Sequence, residues 1–426
     1  MTSRFYLLVS LAFGLLLAGL ALRVSTLVLL VLPLLVYLAA AVLNRPETPQ
    51  LSASRSLDRI QVTPQAAVET ILTVRNQGAP IEELRIHAPF PHGLALSAGL
   101  TSQSTSLQAE MEAQLSCVLS GPRGEYIFGE IHALAMETFG LFEESVSFPA
   151  RASLVVHPTP LRLKPLPIRP PQTRGFAGPI PSRQGGTGVD FFLVREYQPG
   201  DPLRQINWKV SARSENELYT TIYEQQRIAD VGIILDSRLQ CEIHNGDDSL
   251  FEHSVRAAGA LAEIFIQDGN RVGLLVYGGG LSIAFPGMGK IQRERILQVL
   301  ARAETGFSYA LDKLDNLPTR FFPPRSQLVL VSPLSADDIP VLCFLRARGY
   351  SVLVISPNPV RFEAPDQPTT SAEELALHCA QAERDLMINT LRRSGLQVVD
   401  WDVRQPLETL VRAALALSSR MGISIQ

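Results

Sequence analysis

The stretch that decides the organisation of the chain is residues 190–227, DFFLVREYQPGDPLRQINWKVSARSENELYTTIYEQQR. This central segment separates two parts of the chain that differ in character, and charged and aromatic side chains crowd its first half. Because so many residues capable of specific contacts occur so close together, we predict a partner-binding or structural cluster here, with the members Arg195, Glu196, Tyr197, Gly200, Asp201, Arg204, Trp208, Lys209 and Arg213.

The residues around Gly200 predict a tight turn that leads into a short helix. Pro199 and Gly200 suit the two central positions of a type II turn. Asp201 is then placed to cap the helix, and the proline that follows it suits the first helical position, where no N–H is needed. On such a helix Arg204 and Trp208 share a face, so that the guanidinium can stack on the indole.

The mixture of charges in the central segment leaves two interpretations open. In the first, Arg195, Glu196, Asp201, Arg204 and Arg213 pair with one another and hold a loop against the neighbouring sheet. In the second, part of this set stays open to solvent and receives a partner. Charged side chains are rarely buried unless they are paired, so both interpretations are physically reasonable, and neither requires catalysis.

Residues 1–45 predict two transmembrane helices. No charged residue occurs in 5–22, and after Arg23 the apolar run resumes over 24–43. Each run has about the 20 residues that a spanning helix needs. A hairpin places Arg4 on the same side as Arg45, Arg55 and Arg59, which the positive-inside rule makes the cytoplasmic side. A cleaved signal peptide is the alternative, but the second run would still leave a spanning segment.

Residues 51–157 predict a β-sandwich domain. Apolar and polar residues alternate in short stretches that are separated by turn sequences rich in Gly and Pro, and these stretches are 68–74, 84–88, 113–118 and 152–157. Prolines then crowd residues 158–189, which predicts a Pro/Gly-rich linker. The glycines at 185, 186 and 188 lack the lysine of a phosphate-binding loop.

Residues 228–426 predict an α/β domain. Short, fully apolar runs that suit buried strands occupy 230–236, 271–277, 327–332, 351–356 and 397–401. Apolar residues at helical spacing occupy 249–266, 291–303, 339–347 and 407–418. Apolar strands that alternate with amphipathic helices predict a mostly parallel, doubly wound sheet.

Composition and motifs exclude several classes of function. A chain of 426 residues exceeds one ordinary core, and its net charge of -3 gives no basic excess for binding nucleic acid. The four cysteines form no C-x-x-C pair, which argues against zinc ribbons and thioredoxin-type redox motifs. The sequence contains no nucleophile elbow and no H-E-x-x-H motif, so we expect no catalytic residues and consider an enzyme the less favoured class.

The central segment resembles the signature of the domain of unknown function 58 family of bacteria and archaea. The residues that carry this resemblance are Arg195-Glu-Tyr197, Gly200-Asp201, Arg204, Ile206-Asn-Trp-Lys209 and Ser211-Ala-Arg213. The family usually has Asp where this chain has Asn207. Upstream, Arg123-Gly124, residues 139–142 and the apolar hairpin match further elements of the family, so the resemblance covers most of the chain.

The resemblance implies that the α/β domain is von Willebrand factor A-like. Such domains often hold Mg²⁺ through a D-x-S-x-S motif at the end of the first strand. Asp236 matches the first position, but Arg238 and Gln240 replace the two serines, and Ser332 is followed by a proline where a carboxylate would help. Because Mg²⁺ prefers hard oxygen ligands, we expect no cofactor, and Asp236 is the one candidate metal ligand.

The same resemblance implies a membrane-anchored, non-enzymatic interaction or scaffold protein. It would lie in a bacterial or archaeal cell membrane as a multi-pass protein, with its soluble domains in the cytoplasm and a MoxR-type AAA+ ATPase as partner. Two alternatives stay open. One is a metal-dependent adhesion module built on Asp236, and the other is a hydrolase that uses the cluster of Asp201, Arg204 and Glu196.

Overall fold

The structure, a computed structural model, describes residues 2–43, 48–136, 140–161, 163, 180–213, 217–227, 229–324, 326–365 and 370–420. It divides into two compact units, Met1–His157 and Pro158–Gln426. Most of the predicted linker, namely residues 162 and 164–179, lies outside the described residues.

The first unit begins with an apolar hairpin, α1 (Ser3–Leu22) and α2 (Ser25–Leu43). Within the described part of the chain, these two helices are long and apolar enough to cross a membrane, so they could anchor the chain there. Arg23 forms the turn in a left-handed conformation, and the N–H of Val24 donates to the carbonyl of Gly19. A Cβ at Gly19 would lie 2.8 Å from the side chain of Val28, so this glycine lets the helices approach closely.

One loop of the first unit packs against the open end of this hairpin. Leu141 and Phe142 are buried in a cluster with Leu38, which lies near the end of α2. At the start of α1, the N–H of Thr2 donates to the carbonyl of Leu141 at 3.0 Å, and the rings of Phe5 and Phe142 are 5.1 Å apart. Both ends of the hairpin therefore meet the same loop.

The rest of the first unit consists of two sheets. Its strands are β1 (Leu51–Leu57), β2 (Gln61–Val62), β3 (Val68–Asn76), β4 (Ile81–His87), β5 (Ala95–Gly99), β6 (Ser102–Leu107), β7 (Glu112–Ser120), β8 (Gly124–Met136) and β9 (Glu143–Val156). One sheet has the order β1-β3-β7-β5 and the other β2-β9-β8-β4-β6. Leu72 of the first sheet shares a core with Leu84 and Ile131 of the second. The alternation that predicted strands in this region corresponds to alternate inward-facing side chains.

The second unit opens with β10 (Ile180–Glu196), which pairs antiparallel with β11 (Tyr219–Arg227). Between them lie a 3₁₀ turn, Leu203–Gln205, and the short helix α3 (Trp208–Ser211). β10 begins within the range predicted as a linker. The backbone pairing with β11 supplies hydrogen bonds that the proline and glycine content did not lead us to expect, and shifts in register accommodate the glycines near 185.

The elements that follow are β12 (Asp230–Ser237), β13 (His244–Asn245), β14 (Asp248–Ser249), α4 (Leu250–Gln267), β15 (Arg271–Gly278), β16 (Leu281–Gly287), α5 (Gly289–Ala301), β17 (Gln327–Val331), α6 (Asp338–Ala347), β18 (Ser351–Pro357), α7 (Pro359–Glu363), α8 (Ser371–Arg393), β19 (Gln397–Trp401) and α9 (Leu407–Arg420). One sheet has the order β16-β15-β12-β17-β18-β19. Its described pairings are parallel, apart from the edge strand β16, which runs antiparallel to β15.

Helices cover both faces of this sheet. Ile233 of β12 packs in one core with Leu261 of α4, and the next residue, Ile234, packs in the other core with Leu342 of α6. Successive side chains of a strand point to opposite faces, which is why the central strands are apolar throughout. The structure thus confirms an α/β region after the β region. The chain order reverses between β12 and β17, and a crevice outside the carboxyl ends of the strands is expected at such a point.

Candidate functional site

The turn at Gly200 forms as its sequence predicts. Gly200 has a φ of 112°, which glycine adopts without steric cost, and the N–H of Asp201 donates to the carbonyl of Gln198 at 3.0 Å. This i to i+3 hydrogen bond and the positive φ at the third residue are the features of a type II turn. The turn joins the end of β10 to the residues that precede α3.

Asp201 has a different role from the predicted helix cap. Its carboxylate turns back across the turn, where it accepts a hydrogen bond from the N–H of Gln198 at 3.0 Å and one from Nη2 of Arg195 at 2.8 Å. Both donors lower the pKa of the Asp201 carboxyl, and the backbone N–H has the larger effect. The 3₁₀ turn that follows has no side-chain cap, so the cap prediction was wrong.

Asn207 caps the following helix instead. Its Oδ1 accepts from the N–H of Val210 at 3.1 Å, and its Nδ2 donates to Oγ1 of Thr221 at 3.0 Å. The helix therefore begins at Trp208 and is separate from the 3₁₀ turn that carries Arg204. The predicted helical face shared by Arg204 and Trp208 was wrong, because the chain between these residues leaves the helical conformation and forms a β-bridge to β11.

The charged residues of the central segment do not all pair with one another, as one of the two interpretations of the sequence required. Among the residues that the structure describes, Arg195 and Asp201 form the ion pair of this set. Glu196 ends β10 and is exposed. Tyr197 is half-buried, and its N–H donates to the carbonyl of Leu218 at 2.7 Å. The structure thus separates a framework around Asp201 from side chains that face solvent.

These solvent-facing side chains form what we call the docking patch, which consists of Leu203, Arg204, Trp208, Lys209 and Arg213, all exposed. Trp208 is 67% exposed. Among the residues between them, Ile206 and Ser211 are buried. The patch therefore combines an exposed indole and an exposed leucine with three cations on a framework fixed by hydrogen bonds.

A second cluster lies at the carboxyl end of β12, around Asp236. Arg238 donates from Nε and Nη2 to the two carboxylate oxygens of Asp236, at 2.9 and 2.7 Å. It also donates from Nη1 and Nη2 to the two oxygens of Asp338, at 2.9 Å each. The three side chains are nearly inaccessible to solvent. We call this cluster the buried Asp–Arg–Asp bridge.

Burial by itself disfavours the charge of Arg238, but the hydrogen bonds and charges of Asp236 and Asp338 outweigh burial and raise the pKa of the guanidinium. The residues present do not fit a Mg²⁺ ion, because the guanidinium occupies the space between the two carboxylates that would coordinate it. In the described residues, no group of three or more His, Cys, Asp or Glu side chains is arranged to hold a metal ion.

Asp338 is the member of this bridge that sequence reasoning missed. We expected no carboxylate after β17, because Pro333 follows Ser332. Asp338 begins α6 instead, and the loop between them returns its carboxylate to the edge of the sheet, where the N–H of Ser335 donates to it at 2.8 Å. Ser332 also donates, to Asp236 at 2.6 Å. The sequence offered one indirect signal, the prediction of a mostly parallel sheet. The carboxyl ends of parallel strands lie at the same edge, and β12 and β17 are such strands.

A second buried arginine holds the neighbouring strand ends. Arg384 of α8 donates to Asp400 at 2.9 Å, to Oγ of Ser356 at 2.8 Å and to the carbonyl of Pro333 at 2.9 Å. Burial lowers the pKa of Arg384, and Asp400 opposes that shift. The carboxyl edge of the sheet is thus held together by two arginines from different elements.

Part of this chain is similar to a bacterial protein. The uncharacterized protein YeaD of Bacillus subtilis (strain 168) is 25% identical over 234 residues, which are 53% of this chain and 56% of that relative. The chain therefore spans about half the length of the curated relative that it matches.

Two solved structures resemble part of this chain. A CARDB domain from Pyrococcus furiosus is 16% identical, and the match covers 26% of this chain and 91% of that one with a TM-score of 0.18. A FixG-related protein from Vibrio parahaemolyticus is 11% identical, and the match covers 25% of this chain and 95% of that one, also with a TM-score of 0.18. Scores this low carry no argument about fold or function.

A family model also matches part of this chain. The model described as Protein of unknown function DUF58 matches residues 193–362. This range begins within β10, includes the docking patch and the buried Asp–Arg–Asp bridge, and ends in α7. The match confirms, over this part of the chain, the family resemblance that the central segment carries.

Proposed function

We propose that this chain is a membrane-anchored, non-enzymatic interaction protein whose second unit docks a protein partner through the docking patch. The observation that carries the proposal is that the buried and the exposed residues of the central segment have different roles. Its inward-facing residues fix the backbone, whereas Trp208 and three cations are left facing solvent. Tryptophan and arginine are enriched among the residues that dominate binding energy in protein interfaces.

The chemistry of the patch indicates the kind of partner. Its apolar part, Leu203 and Trp208, suits an apolar side chain of the partner, and the cations Arg204, Lys209 and Arg213 suit an acidic rim around it. The family resemblance names the class of partner, a MoxR-type AAA+ ATPase. The positive-inside rule favours the cytoplasmic face for the encounter.

The strand order supports a von Willebrand factor A-like assignment for the α/β part of the second unit. The first strand lies at the centre, the second and fourth flank it, and the third is an antiparallel edge. Ligands of such sheets bind at the carboxyl ends of the central strands. Because Arg238 fills that position here, the metal-dependent adhesion alternative is the weaker one, and we assign partner binding to the docking patch.

The hydrolase alternative requires Asp201 to exchange protons near neutral pH. Efficient general acids and bases have a pKa close to the working pH. The N–H of Gln198 and the guanidinium of Arg195 move the pKa of the Asp201 carboxyl in the opposite direction, below its ordinary range. A carboxylate held in this way suits the framework of a turn better than catalysis.

The test compares two exposed apolar residues of similar exposure. Trp208, 67% exposed, lies in the patch, and Leu386, 69% exposed, lies on α8. We expect Trp208→Ala, made in the full chain in its membrane, to weaken capture of the AAA+ ATPase by about thirtyfold, as for an interface residue that contributes 2 kcal/mol. Leu386→Ala should leave capture unchanged.

Melting followed through the buried Trp401 shows whether either variant is misfolded, because that reporter is present in both. Equal capture by wild type and Trp208→Ala would exclude the patch as the docking surface. Failure of the wild-type chain to recover any ATPase would refute the assignment of the partner class.

A further inference from the structure

We infer that Arg238 is a built-in replacement for a divalent cation. Removing its guanidinium, by Arg238→Ser, should convert the buried Asp–Arg–Asp bridge into a site for a hard divalent ion. The inference concerns an intramolecular site, so it does not depend on the proposed docking function.

The oxygen atoms around the guanidinium are the ones that such an ion would need. A single nitrogen, Nη2 of Arg238, contacts an oxygen of Asp236 at 2.7 Å and an oxygen of Asp338 at 2.9 Å. Ser332 places its hydroxyl 2.6 Å from that same Asp236 oxygen. Carboxylates and a hydroxyl are hard ligands of the type that Ca²⁺, Mg²⁺ and Mn²⁺ prefer.

The charge of the site leads to the same conclusion. Asp236 and Asp338 are both buried, and Arg238 is the cation placed between them. Without Arg238 the two carboxylates would lie close together in a buried pocket with no counter-charge, which is strongly unfavourable. A divalent ion would supply positive charge at the position that the guanidinium occupies now, and the serine introduced at 238 would add an oxygen ligand.

The structure fixes Arg238 so that it cannot give way to an ion in the wild-type chain. A Cβ on Gly278 would lie 2.2 Å from the backbone nitrogen of Arg238, so the end of β15 packs directly against this residue. Nη1 of Arg238 also donates to the carbonyl of Asp312 at 3.3 Å, and residue 238 forms a β-bridge with Gly306. Each nitrogen of the guanidinium thus has an acceptor inside the protein, and none is left for a carboxylate of a partner.

Arg238 also limits how a partner could be bound at this edge, a point that rests on the proposed function. A partner cannot be bound through a divalent ion held by Asp236 and Asp338, because the guanidinium of Arg238 fills the position between them.

The experiment is a Mn²⁺ titration of the full chain in detergent, followed by thermal melting. Both tryptophans, Trp208 and Trp401, belong to the second unit, so their fluorescence reports the unfolding of the unit that holds the site. Arg238→Ser should gain saturable Mn²⁺ binding. We expect its Tm to rise by roughly 5–10 °C when free ion exceeds the dissociation constant about a hundredfold.

Two control variants isolate the site. Arg238→Ser combined with Asp338→Asn retains one carboxylate and should lose most of the effect. Arg384→Ser removes the other buried arginine, which contacts the single carboxylate of Asp400, and should gain no Mn²⁺ binding. Electron paramagnetic resonance of Mn²⁺ gives a second measure of binding that does not depend on stability.

Three results would overturn the inference. The first is an Arg238→Ser chain that folds and is not stabilised by Mn²⁺. The second is an Arg238→Ser chain that fails to fold and is not restored when Mn²⁺ is present throughout refolding. The third is a wild-type chain that Mn²⁺ stabilises saturably and that loses this response in Asp338→Asn, since arginine and ion would then occupy the site together.

Discussion

Asp338→Asn is the perturbation that examines the buried Asp–Arg–Asp bridge most directly. The wild-type carboxylate accepts two hydrogen bonds from Arg238 and one from the N–H of Ser335, all at 2.8–2.9 Å. Asparagine keeps the shape of the side chain but removes the charge, and it presents an N–H₂ group to at least one donor. Because a buried ion pair that loses one partner costs about 3–5 kcal/mol, we expect a loss of stability of that size.

The neighbouring residue provides a matched control. Asp337 precedes Asp338 and is exposed, so Asp337→Asn makes the same chemical change at the adjacent position, with an expected effect within about 0.5 kcal/mol. Melting or urea unfolding followed by tryptophan fluorescence should show the Tm of Asp338→Asn lower by roughly 10 °C. A shift no larger than that of Asp337→Asn would mean that the bridge does not stabilise the fold as its geometry indicates.

Ile206→Ala, behind the docking patch, should cost about 2–5 kcal/mol in urea unfolding, whereas Trp208→Ala should cost less than about 0.5 kcal/mol. Arg384→Met should destabilise the second unit by about 3–5 kcal/mol, since Asp400, whose side chain is 17% exposed, would lose its cation, and Asp400→Asn should relieve part of that loss. The lowered pKa of Asp201 contributes stability that is present above the unfolded pKa, near pH 4, and disappears as pH falls through the folded pKa. Asp201→Asn should abolish this part of the pH dependence of the free energy of unfolding, measured by urea unfolding at a series of acidic pH values.

Two buried arginines hold together the strand ends at the carboxyl edge of the sheet in the second unit. Arg238 joins the ends of β12 and the start of α6, and Arg384 joins α8 to the ends of β18 and β19. Buried ion pairs contribute little net stability compared with apolar packing, but they are costly to break once formed. We expect them to fix the relative positions of these strand ends more than to raise the stability of the unit.

Local sequence was sufficient for elements whose partners are near in the chain or whose surroundings are uniformly apolar. It predicted the apolar hairpin, the alternating strands of the first unit, the fully buried strands β12, β15, β17 and β18, and the turn at Gly200. It did not predict the edge strand β16, which is partly exposed and contains a proline. The apolar stripe of α8 was also obscured, because Arg384 occupies a buried position in it.

Some features of the candidate site were likewise predicted from the sequence, and others were not. The sequence by itself determined which residue types are concentrated in the central segment, that Gly200 permits a turn, and that Arg238 and Gln240 interrupt a metal-binding pattern. The tertiary structure decided that Asp201 closes the turn, that Asn207 caps α3, and that Asp338 completes the bridge with Arg238. For Asp338 the reason is separation along the chain, since it lies 100 residues from Arg238 and the parallel pairing of β12 with β17 brings the two together. For Asp201 and Asn207 the contacts are local, but the bridge of Ile206 to β11 sets the path of the chain that directs these side chains.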